Sequence, residues 1–188
     1  MTDFLNEADF RQNADARFYG CSRPESDTHT PVRSLTKSTS FLVRMTIPSE
    51  YQRATVEFER FMIDARDEAG LATTNMAWNM VVGVFRAFRR RLSVQEAMRF
   101  ANVLPAVLRA IFVADWDFHD PQTPFEQRES LVDEVRSVRR EHNFSPDSAV
   151  QAVAYALLRN VDTQALIKVL HDLPAGAVEF WGLTRAGN

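Results

Sequence analysis

The chain has 188 residues, a formal net charge of -3, 45% hydrophobic and 25% charged residues, and a single cysteine. That length fits one domain, or one domain with a tail, and the balance argues against a dedicated nucleic-acid binder, whose domain would be strongly basic. The lone thiol, Cys21, excludes an internal disulfide framework and a multi-cysteine zinc site, and suits a reducing, cytoplasmic setting.

No apolar run approaches the roughly 18 residues of a transmembrane span, and the acidic, polar start MTDFLNEADF does not read as a signal peptide. Residues 1–44 have a composition of their own. Arg11, Arg17, Arg23, Arg33, Lys37 and Arg44 balance the acids, and SRPESDTHTPVRSLTKSTS holds few large apolar groups. Such a stretch buries too little surface to offset its ordering entropy, so a mostly disordered tail is expected. The folded pattern begins directly after Met45, which would serve as an alternative initiator. Residues 45–188 are expected to form one all-helical domain.

Apolar residues recur at helical spacing from Tyr51 through Phe58 to Ala65, predicting a first helix over 48–69 that ends at Gly70, with Leu71 folding back. A second helix over 74–91 carries Trp78, Val81, Val82, Phe85 and Phe88 on a wide apolar face. Gly83 among them would let a neighbouring helix approach closely. Ser93 and Glu96 have capping-box spacing, so a third helix starts at Val94 and brings Ala97, Phe100, Ala101 and Leu104 inward. Pro105 then interrupts a periodicity that resumes at Val107, Leu108, Ile111 and Phe112. This predicts either a kink or two short helices with the proline opening the second.

After an acidic loop over 115–122, Thr123, Pro124 and Glu126 read as the cap, first-turn proline and capping box of a fourth helix. Its buried side is Phe125, Leu131, Val132, Val135 and Val138, with Arg136, Arg139 and Arg140 outside. Ser145 and Pro146 are expected to start the next helix, Asp162 to cap another, and Pro174 to open a last short one that runs to Trp181 and stops at Gly182. No strand alternation is present, and the expected fold is an all-α multi-helix bundle.

The segments at about 75–116 and 147–181 share one plan. An amphipathic helix, a cap, a helix, Leu-Pro and a short apolar helix closed by an aromatic follow in the same order. The spacing from Ser93 to Pro105 equals that from Asp162 to Pro174. Two such helical hairpins would form an internal repeat whose units bury their apolar faces against each other.

Candidate chemistry is sparse. The four histidines, His29, His119, His142 and His171, lie in no HExxH or repeated Glu-x-x-His arrangement, and no GxSxG, GxxxxGK[ST] or GxGxxG occurs. Cys21 has no evident base partner. No catalytic residue and no cofactor is implied. The one metal candidate is the loop holding Asp115, Asp117, His119 and Asp120, with oxygen ligands at alternating positions but without the glycine and closing glutamate of a calcium loop. Trp116 and Phe118 between those acids would anchor the loop to the bundle.

The basic candidate is Arg86, Arg89, Arg90 and Arg91. Arg86 and Arg90 share a helix face, Arg89 lies one turn from Arg86, and three consecutive arginines point in different directions. One reading is a solvated helix end paired with acids such as Glu96. The other is a docking patch for phosphate, an anionic lipid surface or an acidic partner.

The stretch RRRLSVQEAMRFANVLPAVLRAIFVADWD (89–117) resembles a bacterial family of small helical proteins catalogued as domain of unknown function 2267. Arg91-Leu92, Glu96-Ala97, Leu104-Pro105, Arg109 and Trp116-Asp117 carry the likeness. It extends over about 48–182, through the second Leu-Pro at 173–174 to Phe180-Trp181. The second segment departs from it, with Ala175, Gly176 and Ala177 after its Leu-Pro and no counterpart of Arg109. The resemblance implies a single all-helical cytoplasmic domain and carries over no catalytic residue.

Three functions are therefore expected to compete. The first is a non-catalytic structural or interaction module, binding an unknown protein partner or itself through exposed apolar positions of the first helix. The second is an adaptor using the arginines on nucleic acid or an anionic surface, and the third is a small-ligand binder or enzyme, which needs a sizeable pocket with converging polar groups.

Overall fold

A computed structural model describes residues 47–125 and 131–183. The expected tail, with Cys21 and His29, lies outside the described residues. Among those described the fold is all-helical, with nine helices and no strand: α1 (Ser49–Gln52), α2 (Ala54–Glu68), α3 (Thr74–Arg89), α4 (Val94–Ala101), α5 (Ala106–Val113), α6 (Leu131–Ser137), α7 (Ala149–Asn160), α8 (Thr163–His171) and α9 (Ala177–Phe180). α3 is the hub. It packs on α2, α5, α6 and α7, while α2 pairs with α7, and α4 lies between α5 and α8.

Local chemistry sets most boundaries. Gly70, at φ +63, ends α2, with Leu71 N–H donating to the Arg66 carbonyl and Gly70 N–H to that of Asp67, a Schellman closure. The Thr73 hydroxyl accepts from Met76 N–H to start α3. At α4 the Ser93 hydroxyl accepts from Glu96 N–H, and the Glu96 carboxylate accepts from Ser93 N–H at 2.7 Å, a complete capping box. The Asp162 carboxylate accepts from Gln164 and Ala165 N–H to cap α8. Gly182, at φ +69, closes α9.

Pro105 does not kink a helix. It sits at the N-cap of α5, and Arg109 bridges the break, its Nε donating to the Ala101 carbonyl and an Nη to that of Leu104. The Leu104 carbonyl lies at the broken end of the α4 region, and that of Ala101, which accepts from Leu104 N–H, gains a second donor. At the second Leu-Pro, Gly176 takes φ +98, and a Cβ there would strike Phe125. Backbone conformation and a close aromatic neighbour both call for glycine at this position.

Three boundaries differ from the sequence reading. The helix expected over 48–69 is broken at Arg53 (φ -98, ψ -2) into α1 and α2, although the apolar spacing runs straight through. Thr123 and Pro124 are not helical. Thr123 N–H instead donates to the Arg90 carbonyl, α6 is described from Leu131, and Glu126 lies outside the described residues. Ser145 and Pro146 do not open α7, which starts at Ala149, because Ser145 is buried against Asn143 and both its amide and its hydroxyl donate to that side chain.

The core is a chain of rings crossing the molecule. Phe61 of α2 stacks on Phe85 of α3, and Phe85 meets Phe112 of α5 at 5.6 Å. Phe100 of α4 lies 5.0 Å from Phe112 and 4.8 Å from Phe88. Phe88 then meets Phe180 and Trp181, each at 5.0 Å. Each such pair adds about 0.5–1.5 kcal/mol beyond its buried area, so this chain ties α2–α5 to the C-terminal end.

Gly83 is where α3 and α6 come closest, and a Cβ there would collide with the Val135 carbonyl oxygen. The substitution Gly83→Ala is expected to cost about 1–3 kcal/mol by forcing the two backbones apart. Thermal melting should show the midpoint falling, and an unchanged midpoint would refute this account of the contact.

Candidate functional site

The arginines at the end of α3 do not form a surface patch. Arg86 and Arg90 are partly exposed, but Arg89 is 4% and Arg91 2% exposed. Two of the four arginines in the expected patch are therefore buried. The proposed pairing with Glu96 is corrected as well, since that carboxylate serves the α4 capping box.

Arg91 reaches inward. It donates to the Ala87 carbonyl at 2.6 Å and to the Glu134 carboxylate of α6 at 2.9 Å, and its guanidinium lies over the Phe180 ring. Arg90 approaches the other Glu134 oxygen at 3.5 Å, a charge contact rather than a hydrogen bond. The backbone around them holds the following loop, with Gln122 donating to the Arg91 carbonyl and Thr123 N–H to that of Arg90.

Arg89 caps α5. One Nη donates to the Phe112 carbonyl at 2.6 Å and to that of Ala114 at 2.9 Å, where the helix dipole favours a cation. Its guanidinium also lies 5.0 Å from the centre of the Trp116 ring. No carboxylate pairs with Arg89 among the described residues, and its buried Nε–H has no acceptor. Burial first, and then the neighbouring Arg86 charge, lower its pKa to about 10, which leaves it cationic at neutral pH.

The acidic loop is not assembled as a metal centre. Asp115, at φ +50, pairs with Arg86 at 3.1 Å, and Asp117 accepts from the backbone N–H of His119 while its carboxylate lies 3.1 Å from the His119 ring. Asp120 is exposed, and among the described residues no three potential ligands converge. Trp116 anchors the loop as expected, but Phe118 does not, being 65% exposed and touching only Trp116 as a ring partner.

A continuous stripe of α3 faces outward beside these groups. Trp78, 40% exposed, stands at the junction of two cavities. One, of about 280 Å³, is lined by Phe58, Met62, Ile63 and Thr74. The other, of about 510 Å³, runs over Val82 between Ile111 of α5 and Val138 after α6, and ends at Arg86 and Asp115. A third, of about 200 Å³, adjoins it and is bounded by Arg86, Arg89 and Arg90, by the carboxylates of Asp115, Asp120 and Glu134, and by Trp116. From Trp78 to Arg90 the stripe extends about 18 Å at the helical rise.

Composition and spacing mark Trp78 and Val82 as core residues, because a helix face wide enough to meet four neighbours looks uniformly buried. Only the placement of α5 and α6 leaves this strip open. A second feature without a sequence signal is Asn143, which lies inside. Its Nδ2 donates to the Val135 and Val138 carbonyls, both at 2.9 Å, and so closes the end of α6. Asn79 of α3 returns the link by donating to the His142 carbonyl.

The profile of the family described as Uncharacterized conserved protein (DUF2267) matches residues 58–180. The chain belongs to this family. No curated protein matches the chain. The DUF2267 region spans the hub helix, both Leu-Pro turns and the arginine pocket, so every feature of the candidate site lies inside it. No helix among the described residues is long and apolar enough to cross a membrane.

The Arg91–Glu134 pair supplies a direct test. Glu134→Gln or Arg91→Met alone is expected to cost about 1.5–3 kcal/mol, since each removes a charge-assisted hydrogen bond inside the protein while Arg90 stays within reach of Glu134. The double variant Arg91→Met with Glu134→Met should cost clearly less than the sum. Urea denaturation of the four proteins measures the coupling, and additive losses would show that the pair is not an energetic unit.

Proposed function

We propose that this DUF2267 protein is a non-catalytic interaction module that receives an amphipathic helical segment of a partner protein along the outward stripe of α3. The observation that carries the reading is Trp78. A hub helix otherwise committed to the core leaves its largest side chain open to solvent where two apolar cavities meet. The dimensions fit: a stripe of about 18 Å accommodates about three turns of helix, whose apolar residues at i, i+4 and i+7 would seat beside Trp78 and Val82. Arg86 at one end and exposed Arg139 on the wall favour an acidic partner segment.

The stripe rests on α3, most of whose residues are buried, so its floor is held rigid before any partner arrives, which lowers the ordering cost of binding. An adaptor role on nucleic acid has less support, because two of the four arginines it would use are buried. Self-association is the rival occupant, through exposed Tyr51, Val56 and Ile63, the last of which lines the first cavity. The equal spacing of the two helix–cap–Leu-Pro segments, with α3 packed on α7 and α4 on α8, supports reading them as an internal repeat, placing the stripe on one copy only.

Affinity capture from native cells, comparing the unaltered chain with Trp78→Asp and Val82→Asp, tests the proposal. A stoichiometric partner is expected, with recovery reduced about tenfold or more in both variants, the scale of an interface hot spot, while their melting points stay close to the parent's. Undiminished recovery with both variants would refute the assignment of the stripe. Sedimentation showing a dimer that Trp78→Asp dissociates would instead assign the stripe to a second copy.

A further inference from the structure

The 200 Å³ pocket beside the stripe presents a separate problem in electrostatics. Buried charges in proteins are ordinarily paired, since an isolated one loses solvation without recompense. Arg91 follows that rule through Glu134. Arg89 does not, as its described hydrogen-bond partners are two neutral carbonyls and its Nε–H faces no acceptor. Capping α5 accounts for one edge of this guanidinium and leaves the other unused.

Two more cations share the pocket wall. Among the described residues Arg86 is held by Asp115, a carboxylate on an exposed loop, and Arg90 by the longer 3.5 Å contact to Glu134. Both keep N–H groups free to donate. Asp115 and Asp120 also line the pocket and act on Arg89 through space, but among the described residues no carboxylate hydrogen-bonds this innermost cation.

We propose that this pocket is an oxyanion site that takes a phosphate group, with Arg89 as its buried anchor and Arg86 and Arg90 closing over it. Phosphate suits the site better than a carboxylate, because the spare donors come from three separate guanidinia and call for an acceptor with oxygens in several directions. Its arrival displaces Asp115 from Arg86, which the exposed position of that loop allows. Trp116, stacked on Arg89, forms the pocket's outer wall. The site shares Arg86 with the stripe, but its anchor Arg89 has no part in docking on α3, so either reading can fail without the other.

The probe is inorganic phosphate, followed through the Arg89 Nε–H resonance of the full chain by proton–nitrogen NMR, with sodium chloride at matched ionic strength as control. A saturable shift at Arg89 is expected, with half-saturation in the millimolar range. Arg86→Gln with Arg90→Gln should weaken it by about tenfold, roughly what the loss of charge-assisted bonds implies. Asp115→Asn, which removes the competing carboxylate at a backbone conformation asparagine tolerates, should tighten it. Phenyl phosphate and vesicles containing phosphatidic acid form further arms. A shift with inorganic or phenyl phosphate identifies a soluble phosphate group, and one seen only with the vesicles identifies a lipid headgroup. No shift with any probe, a shift matched by chloride, or equal shifts at exposed Arg139 and Arg140 would each overturn the proposal.

Discussion

The last turn of α3 carries consecutive cations into a region where two of them lose nearly all contact with water, and much of the chain after residue 89 is arranged to make that tolerable. Arg91 needs Glu134, which fixes α6 against α3. Arg89 needs acceptors, and the end carbonyls of α5 supply them. The intervening loop is then tied to the same place through Gln122 and Thr123, which donate to the carbonyls of Arg91 and Arg90. A single helical turn thus sets the positions of two helices and the loop between them.

This arrangement trades stability for specificity. A buried ion pair contributes little net stability compared with apolar residues of the same size, yet an alternative packing of α6 would cost the buried Arg91 its bond to Glu134. The aromatic chain from Phe61 to Trp181 supplies cohesion without such direction, since rings tolerate several pairings. Gly83 adds the steric half of the constraint, allowing the backbones of α3 and α6 to meet where any side chain would hold them apart. Charge selects the partner of α3, and the missing Cβ sets the distance.

With its inner faces committed in this way, α3 has one strip left over, and that strip is the candidate docking surface. The open side of a rigid, well-buried helix is a favourable place for recognition, because it needs no reordering. The strip and the arginine pocket meet at Arg86 and Asp115, yet they differ in chemistry. One is apolar and shaped for a helix, and the other holds a desolvated cation that no carboxylate hydrogen-bonds among the described residues.

Local signals written in a few neighbouring residues were legible in the sequence. The all-helical class, the Ser93–Glu96 box, the Asp162 cap, the Gly70 and Gly182 stops and the close approach at Gly83 each depend on contacts within a turn or on the lack of a side chain, and spacing alone exposes them. The fate of the arginines could not be read that way. Whether Arg89 is a solvated cation or a buried cap depends on α5, more than twenty residues later in the chain, and Arg91 depends on a carboxylate beyond it. The same limit applies to Trp78, whose exposure is set by where α5 and α6 stop, and to Ser145, diverted from helix capping by Asn143. Sequence determined the helices and their ends because those are short-range balances of hydrogen bonding and hydrophobic periodicity. Tertiary structure decided which charges lose water and which apolar face keeps it, because desolvation depends on neighbours the chain brings in from far away.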